Sequence, residues 1–147
     1  MNYAEMMEKA HALELEIKNF LKAVQYEEYS DLSGVDYDPE DADQCFAIDE
    51  MRLCAEHLDD VRYALQYLRR PVIETSRLHR DAGGRYQTDS GFVYTAGTAI
   101  EALITDEYHD RPYWSASRVE YADGRYYIVG YNNVTLDGLL VRRRGHN

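Results

Sequence analysis

From Met6 to Val24 the apolar residues Met6, Ala10, Leu13, Ile17, Phe20 and Val24 recur at alternating intervals of four and three. That spacing lays a hydrophobic seam along one face of a helix, with Glu5, Glu8, Lys9, Glu14, Glu16 and Lys18 on the others. Ala47, Met51, Cys54, Leu58, Val61, Leu65 and Leu68 repeat the pattern, and "RRP" at 69–71 supplies basic residues for a helix end and then a stop. The segment between the seams predicts an antiparallel hairpin. Leu15, Leu21, Phe46 and Leu53 fall off the seams and need cover. The hairpin is therefore expected to pack on the second half of the chain, on a copy of itself or on a partner.

After Pro71 the period changes from helical to alternating. Short runs rich in Tyr, Val, Ile and Thr are separated by turn signals at Asp89-Ser90-Gly91, Asp123-Gly124, Asn132-Asn133 and Asp137-Gly138. Strands are expected near 84–88, 91–95, 99–105, 114–121, 125–131 and 138–143. The predicted fold class is α+β: residues 1–70 form an acidic helical hairpin. Residues 71–147 form a small antiparallel β-barrel or rolled sheet of SH3-like scale. A six-residue echo links "AGGRYQ" to "ADGRYY", too short to count as a repeat.

The motifs "GRYQ", "TAGTAIEALI", "PYWSASRVEY", "GRYYIVGY" and "LDGLLVRRR" follow one another over roughly residues 77–144. In that order they resemble a small uncharacterised domain family of Gram-positive bacteria and their phages and plasmids. The resemblance implies a compact β domain and a mobile-element setting, and no catalytic residue. The helical half is not part of it.

Composition sharpens this picture mainly through charge. The chain has 147 residues and a formal net charge of −11. Residues 1–70 carry 7 Lys and Arg against 17 Asp and Glu, a net of −10, whereas residues 71–147 carry 9 against 10, a net of −1. An acidic surface of this kind repels nucleic acid and anionic lipid and favours basic partners. No run is long and apolar enough to cross a bilayer, and the charged amino terminus is unlike a secretory signal, so a cytoplasmic protein is expected. Cys45 and Cys54, nine residues apart, turn to opposite faces of one helix and are expected to be reduced, half-buried packing residues.

The acids concentrate further. From Glu27 to Asp60 there are 13 carboxylates and one base, Arg52. Spread along a helix they would sit about 4 Å apart, against about 1.7 Å between charges of duplex DNA, so any imitation of a nucleic-acid backbone is partial. Part of the run has a structural duty: Asp38 is placed to cap the second helix with Pro39 at its first position, and Glu40, Asp41 and Asp43 suit the positive end of its dipole. Tyr26, Tyr29 and Tyr37 stand among Glu27, Glu28, Asp31, Asp36, Asp38, Glu40, Asp41 and Asp43. Together they compose a candidate contact patch for an Arg-rich groove, through ion pairs and cation–π stacking. The same run also reads as a solvated acidic face.

An EF-hand count from Asp36 places Asp38 and Glu40 correctly but puts Asp41 where Gly belongs and Ala47 where the bidentate Glu belongs. His11, His57, His79, His109 and His146 lack zinc-site spacing. No metal, cofactor or catalytic residue is expected, although Glu101 and Glu120 on strands invite a check of their separation. The expected function is that of a non-enzymatic binding protein, an inhibitor of a host nucleic-acid-binding defence nuclease of the anti-CRISPR type. Its partner would be a basic protein surface such as a Cas nuclease, with a homodimer as a further possibility. The alternative makes the β domain a peptide or nucleic-acid adaptor that reads through Tyr113, Trp114, Arg118 and Tyr127 and is dimerised by its helices.

Overall fold

A computed structural model describes residues 1–26 and 31–146. The chain divides into two compact units, Met1–Arg70 and Pro71–Asn147.

The first unit is a pair of helices, α1 (Tyr3–Ala23) and α2 (Ala42–Arg69). A capping box starts α1: Asn2 Oδ1 accepts the Glu5 amide at 2.9 Å, and Glu5 Oε2 accepts the Asn2 amide at 2.8 Å. Glu14 on α1 meets Arg69 on α2, while Ile17 and Leu21 cluster with Ala55 and Leu58, so positions advancing along α1 meet positions receding along α2. The helices are therefore antiparallel, as their sequence predicts.

The buried faces overlap the predicted seams in part. On α1 the covered positions are Met7, Ala10, Glu14, Ile17 and Leu21, with Val24 at its C-cap; on α2 they are Cys45, Ile48, Arg52, Ala55, Leu58, Asp59, Arg62, Leu65, Gln66 and Tyr67. Ala10, Ile17, Val24, Leu58 and Leu65 belong to the predicted seams, whereas Glu14, Leu21, Ile48, Arg52, Ala55 and Arg62 turn the covered face partly away from them. Leu13 and Leu68, expected inside, are 52% and 51% exposed, and Cys54 is exposed rather than half-buried. The rotation follows from charge pairs that occupy inward positions: Glu14 with Arg69, and Asp59 with Arg62 at 2.8 Å.

The second unit holds eight strands: β1 (Val72–Arg77), β2 (His79–Arg80), β3 (Tyr86–Gln87), β4 (Val93–Tyr94), β5 (Ala99–Ile104), β6 (Tyr113–Ala122), β7 (Arg125–Ile128) and β8 (Leu140–Arg144). They form a five-stranded sheet in the order β1-β8-β5-β6-β7 and a three-stranded sheet in the order β2-β3-β4, with every pairing antiparallel. The six predicted strands correspond to β3 through β8; β1 and β2 were not foreseen. Alternation along β5 turns Ile100, Ala102 and Ile104 into a core shared with Val119, Ile128, Val141, Leu78 and Tyr94. At the β6–β7 turn Asp123 and Gly124 both have positive φ, 54° and 78°, as the Asp-Gly signal predicts for a tight hairpin.

Candidate functional site

The acidic stretch is held by a few buried anchors. After α1 the chain turns at Gln25, φ 53°, and returns so that Leu32, 4% exposed, inserts beside Ile17, Leu21 and Ala55. The Gly34 amide donates to the Val24 carbonyl at 3.0 Å, and a Cβ on Gly34 would lie 2.8 Å from the Val24 carbonyl carbon, so only glycine fits this approach. With Leu32 and Val35 turned in, Asp31 and Asp36 are left facing solvent.

The start of α2 lies three residues later than its sequence suggests. Asp41, not Asp38, is the N-cap: its Oδ1 accepts the amides of Asp43 at 2.9 Å and Gln44 at 3.1 Å. Asp38 instead closes a local turn, accepting the Glu40 amide at 3.0 Å, while its own amide donates to Gln44 Oε1. The physical reason is that two amides converge on Asp41, whereas one reaches Asp38.

The predicted contact residues divide as follows. Asp31, Asp36, Asp38, Glu40 and Asp43 are exposed, Asp41 is half-buried, and Tyr37 is 39% exposed. Among the described residues none of these carboxylates has a basic nitrogen within 4.0 Å. Glu27, Glu28 and Tyr29 lie outside the described residues. Tyr26 is drawn elsewhere: it packs against the helical core and lines a groove of about 560 Å³ with Lys18, Lys22, Asp59, Arg62 and Tyr63. Further along, Asp49 pairs with Arg52 and Asp59 with Arg62, while Glu50, Glu56 and Asp60 are exposed without a basic nitrogen within 4.0 Å among the described residues. All six acids of residues 31–43 are unneutralised in this sense, against three of the five between Asp49 and Asp60.

On the β unit the predicted reader face splits. Trp114, Arg118 and Tyr127 share one side of the sheet, since Tyr127 is paired with Glu120, two residues from Arg118. Tyr113 faces the other side and packs against the core. The Arg142 guanidinium lies 4.2 Å from the Trp114 ring centroid, which occupies one face of the indole, and Arg118 is paired with Glu120 at 3.0 Å. Glu101 and Glu120 do not form a catalytic pair: Glu101 is opposite Ala116 and receives Arg142 and Arg144. Arg143 pairs with Glu74 at 2.8 Å, so the terminal arginines are compensated inside their own unit.

The densest polar constellation is in the β5–β6 loop. Asp106 accepts the Tyr113 hydroxyl at 2.6 Å and the Tyr108 and His109 amides at 2.9 Å, and its Oδ1 lies 2.8 Å from His109 Nδ1. The Tyr113 and His109 bonds, with the Tyr108 amide, hold the Asp106 pKa down at about 2, and the same bond raises that of Tyr113. Ser115 bonds to Tyr131 at 2.7 Å, and among the described residues no serine, threonine or cysteine hydrogen-bonds to His109. No cluster of three or more potential metal ligands occurs among the described residues. Among the described residues no helix is long and apolar enough to cross a membrane.

Sequence reasoning passed over Arg80, Arg85 and Arg125. They converge with Tyr86, Tyr121 and Tyr126 on a cleft of about 400 Å³. The available signal was the echo of Gly84-Arg85-Tyr86 in Gly124-Arg125-Tyr126, whose two hairpins line that cleft.

Residues 75–143 match a domain of unknown function, DUF5348. The DUF5348 match runs from β1 into β8 and so contains both sheets and the cleft, in line with the resemblance of the carboxyl-terminal motifs to an uncharacterised family. The helical unit with its acidic loop lies outside the DUF5348 match. No curated protein and no solved structure matches the chain.

Proposed function

We propose that this is a non-enzymatic, cytoplasmic binding protein of a phage or other mobile element. Its acidic loop engages a basic surface that otherwise holds nucleic acid. The most concrete version is an inhibitor of the anti-CRISPR type. The observation that carries the reading is the state of residues 31–43: six carboxylates running from an anchored loop through the N-cap and first turn of α2, with no basic neighbour within 4.0 Å among the described residues and with Tyr37 beside them. Exposed, uncompensated charge on an anchored loop accelerates encounter with a cationic groove and competes with phosphate for the same Lys and Arg side chains.

The test is competition. A panel of guide-loaded RNA-guided nucleases is titrated with labelled target DNA, with and without the protein, and association of the protein is timed by interferometry. For a nuclease that binds, the triple reversal Asp31→Lys, Asp36→Lys, Glu40→Lys slows association by about tenfold or more and restores DNA binding. These three positions spare the Asp41 cap. Association that is unchanged in the triple variant defeats the acidic-loop reading, and binding to no member of the panel defeats its anti-CRISPR form.

A further inference from the structure

Among the described residues Arg52, Arg62, Arg69, Arg118, Arg142, Arg143 and Arg144 each have a carboxylate within 4.0 Å. Arg80, Arg85 and Arg125 have none among the described residues, although the chain carries 27 acids. The acids nearest in sequence, Asp81 and Asp123, sit in the two hairpin turns. Asp81 is committed to the backbone: its Oδ1 accepts the amides of Gly83 and Arg85, both at 2.9 Å. Arg125 donates to the Asn132 carbonyl at 3.1 Å, which fixes its guanidinium without compensating its charge.

Three like charges on one cleft repel one another, and the arrangement is relieved when an anion sits between them. Phosphate suits guanidinium forks best, because each fork makes two parallel hydrogen bonds. Beside the arginines stands a ring cluster: Tyr121 is 54% exposed and lies 4.8 Å from Tyr126, which meets Tyr86 edge-on at 6.5 Å. Tyr86 and Tyr126 pack on the core and hold the group in place, leaving the Tyr121 ring open to a planar ligand. At about 400 Å³ the cleft is in the range of small-ligand sites and suits a single nucleotide unit rather than a duplex. The unit that carries it has a net charge of −1, so the acidity that repels nucleic acid resides in the other unit.

We propose that the Gly-Arg-Tyr cleft binds a nucleotide unit, free or within single-stranded nucleic acid, with its phosphate on Arg80, Arg85 and Arg125 and its base against Tyr121. An acidic peptide would satisfy the arginines but leave the open ring unused; the combination selects phosphate joined to a base. The inference uses only the second unit and stands independently of the acidic loop.

The test is fluorescence anisotropy of the full chain with a labelled thymidine strand of about 12 nucleotides at about 20 mM salt. The strand binds, and log affinity falls against log salt with a slope of about −2, as three phosphate contacts on a single strand require. Arg85→Glu weakens binding about tenfold or more and flattens the slope, and Tyr121→Ala weakens it about fivefold or more. Arg111→Glu, a reversal outside the cleft, leaves binding within about twofold. Displacement by uridine monophosphate at comparable concentration identifies a free nucleotide as the ligand, and displacement only by the strand identifies nucleic acid; either supports the site. Absence of strand binding, binding undiminished in Arg85→Glu and Tyr121→Ala, equal loss in Arg111→Glu, or stronger competition by polyglutamate overturns it. Circular dichroism confirms that each variant is folded.

Discussion

Arg69 donates to both carboxylate oxygens of Glu14, at 2.5 and 2.6 Å, across 55 residues of sequence. The bond fixes the register of the hairpin, because a slip of α2 by one turn would leave the Glu14 side chain, 6% exposed, without its guanidinium. The Arg69 bond lowers the Glu14 pKa despite the opposing effect of burial. Arg69→Met is expected to destabilise the hairpin, since it leaves the Glu14 carboxylate without its guanidinium, whereas the double change with Glu14→Leu recovers most of that loss. Urea melts followed by helical circular dichroism check this; a double variant no more stable than Arg69→Met alone would show that the pair holds nothing in register.

The corrected helix faces give a second prediction. Ala55 is 0% exposed, and its neighbour Cys54 is exposed. Ala55→Leu is expected to overpack the interface and cost about 2 kcal/mol, while Cys54→Leu changes stability by no more than about 0.5 kcal/mol. The predicted seam, which ran through Cys54, requires the opposite order, so paired melts of the two variants decide between the faces.

The reason that seam was misplaced is physical. Counting apolar residues finds the heptad spacing, and the spacing was correct. It cannot find which stripe faces the partner when Glu14, Arg52, Asp59, Arg62 and Gln66 take inward positions through pairs or half-burial. The β6–β7 hairpin was legible because alternation and an Asp-Gly turn act over a few residues. Strand β1 was not, because Val72–Arg77 follows a helix stop and gains its partner only from β8, with Val72 opposite Arg144 at the far end of the unit. The acidic loop was legible as charge, while its anchors, Leu32 and Gly34, depend on a return of the chain to α1 that spacing does not record.

The second unit should lose stability in acid over a defined range. Burial raises the pKa of Glu74, but hydrogen bonds from Arg143, Ser90 and Thr88 outweigh it and bring the value to about 2. Asp106 also lies at about 2. Both are below their ordinary values of 4.5 and 3.8, so the unfolded chain takes up these protons first as pH falls. Their contribution is complete above the unfolded pKa values and is lost as pH drops from 4.5 toward 2. Trp114, the single tryptophan, reports this unit selectively by fluorescence. The melting temperature should be level from about pH 7 to pH 5 and then fall. Glu74→Gln should lower stability at neutral pH by about 2 kcal/mol and flatten the acid limb.

Within the acidic loop, structural and spare carboxylates are separable. Asp41 receives two helix amides and Asp36 receives none among the described residues, although both carry the same charge. Replacing Asp41 by Ala removes the cap of α2 and is expected to cost about 1 kcal/mol, while Asp41→Asn preserves the acceptor and costs a few tenths. Asp36→Ala and Asp36→Asn should both be near neutral for stability. In an association measurement the order changes: Asp36→Asn and Asp41→Asn remove one charge each and should slow encounter with a cationic partner alike, whatever their effect on folding. If the Asp41 changes slowed association only in proportion to the helix they unfold, and the Asp36 changes did nothing, the loop would be a helix start and no more. Equal slowing by the two Asn variants, with a helix that melts normally in both, is what uncompensated loop charge requires.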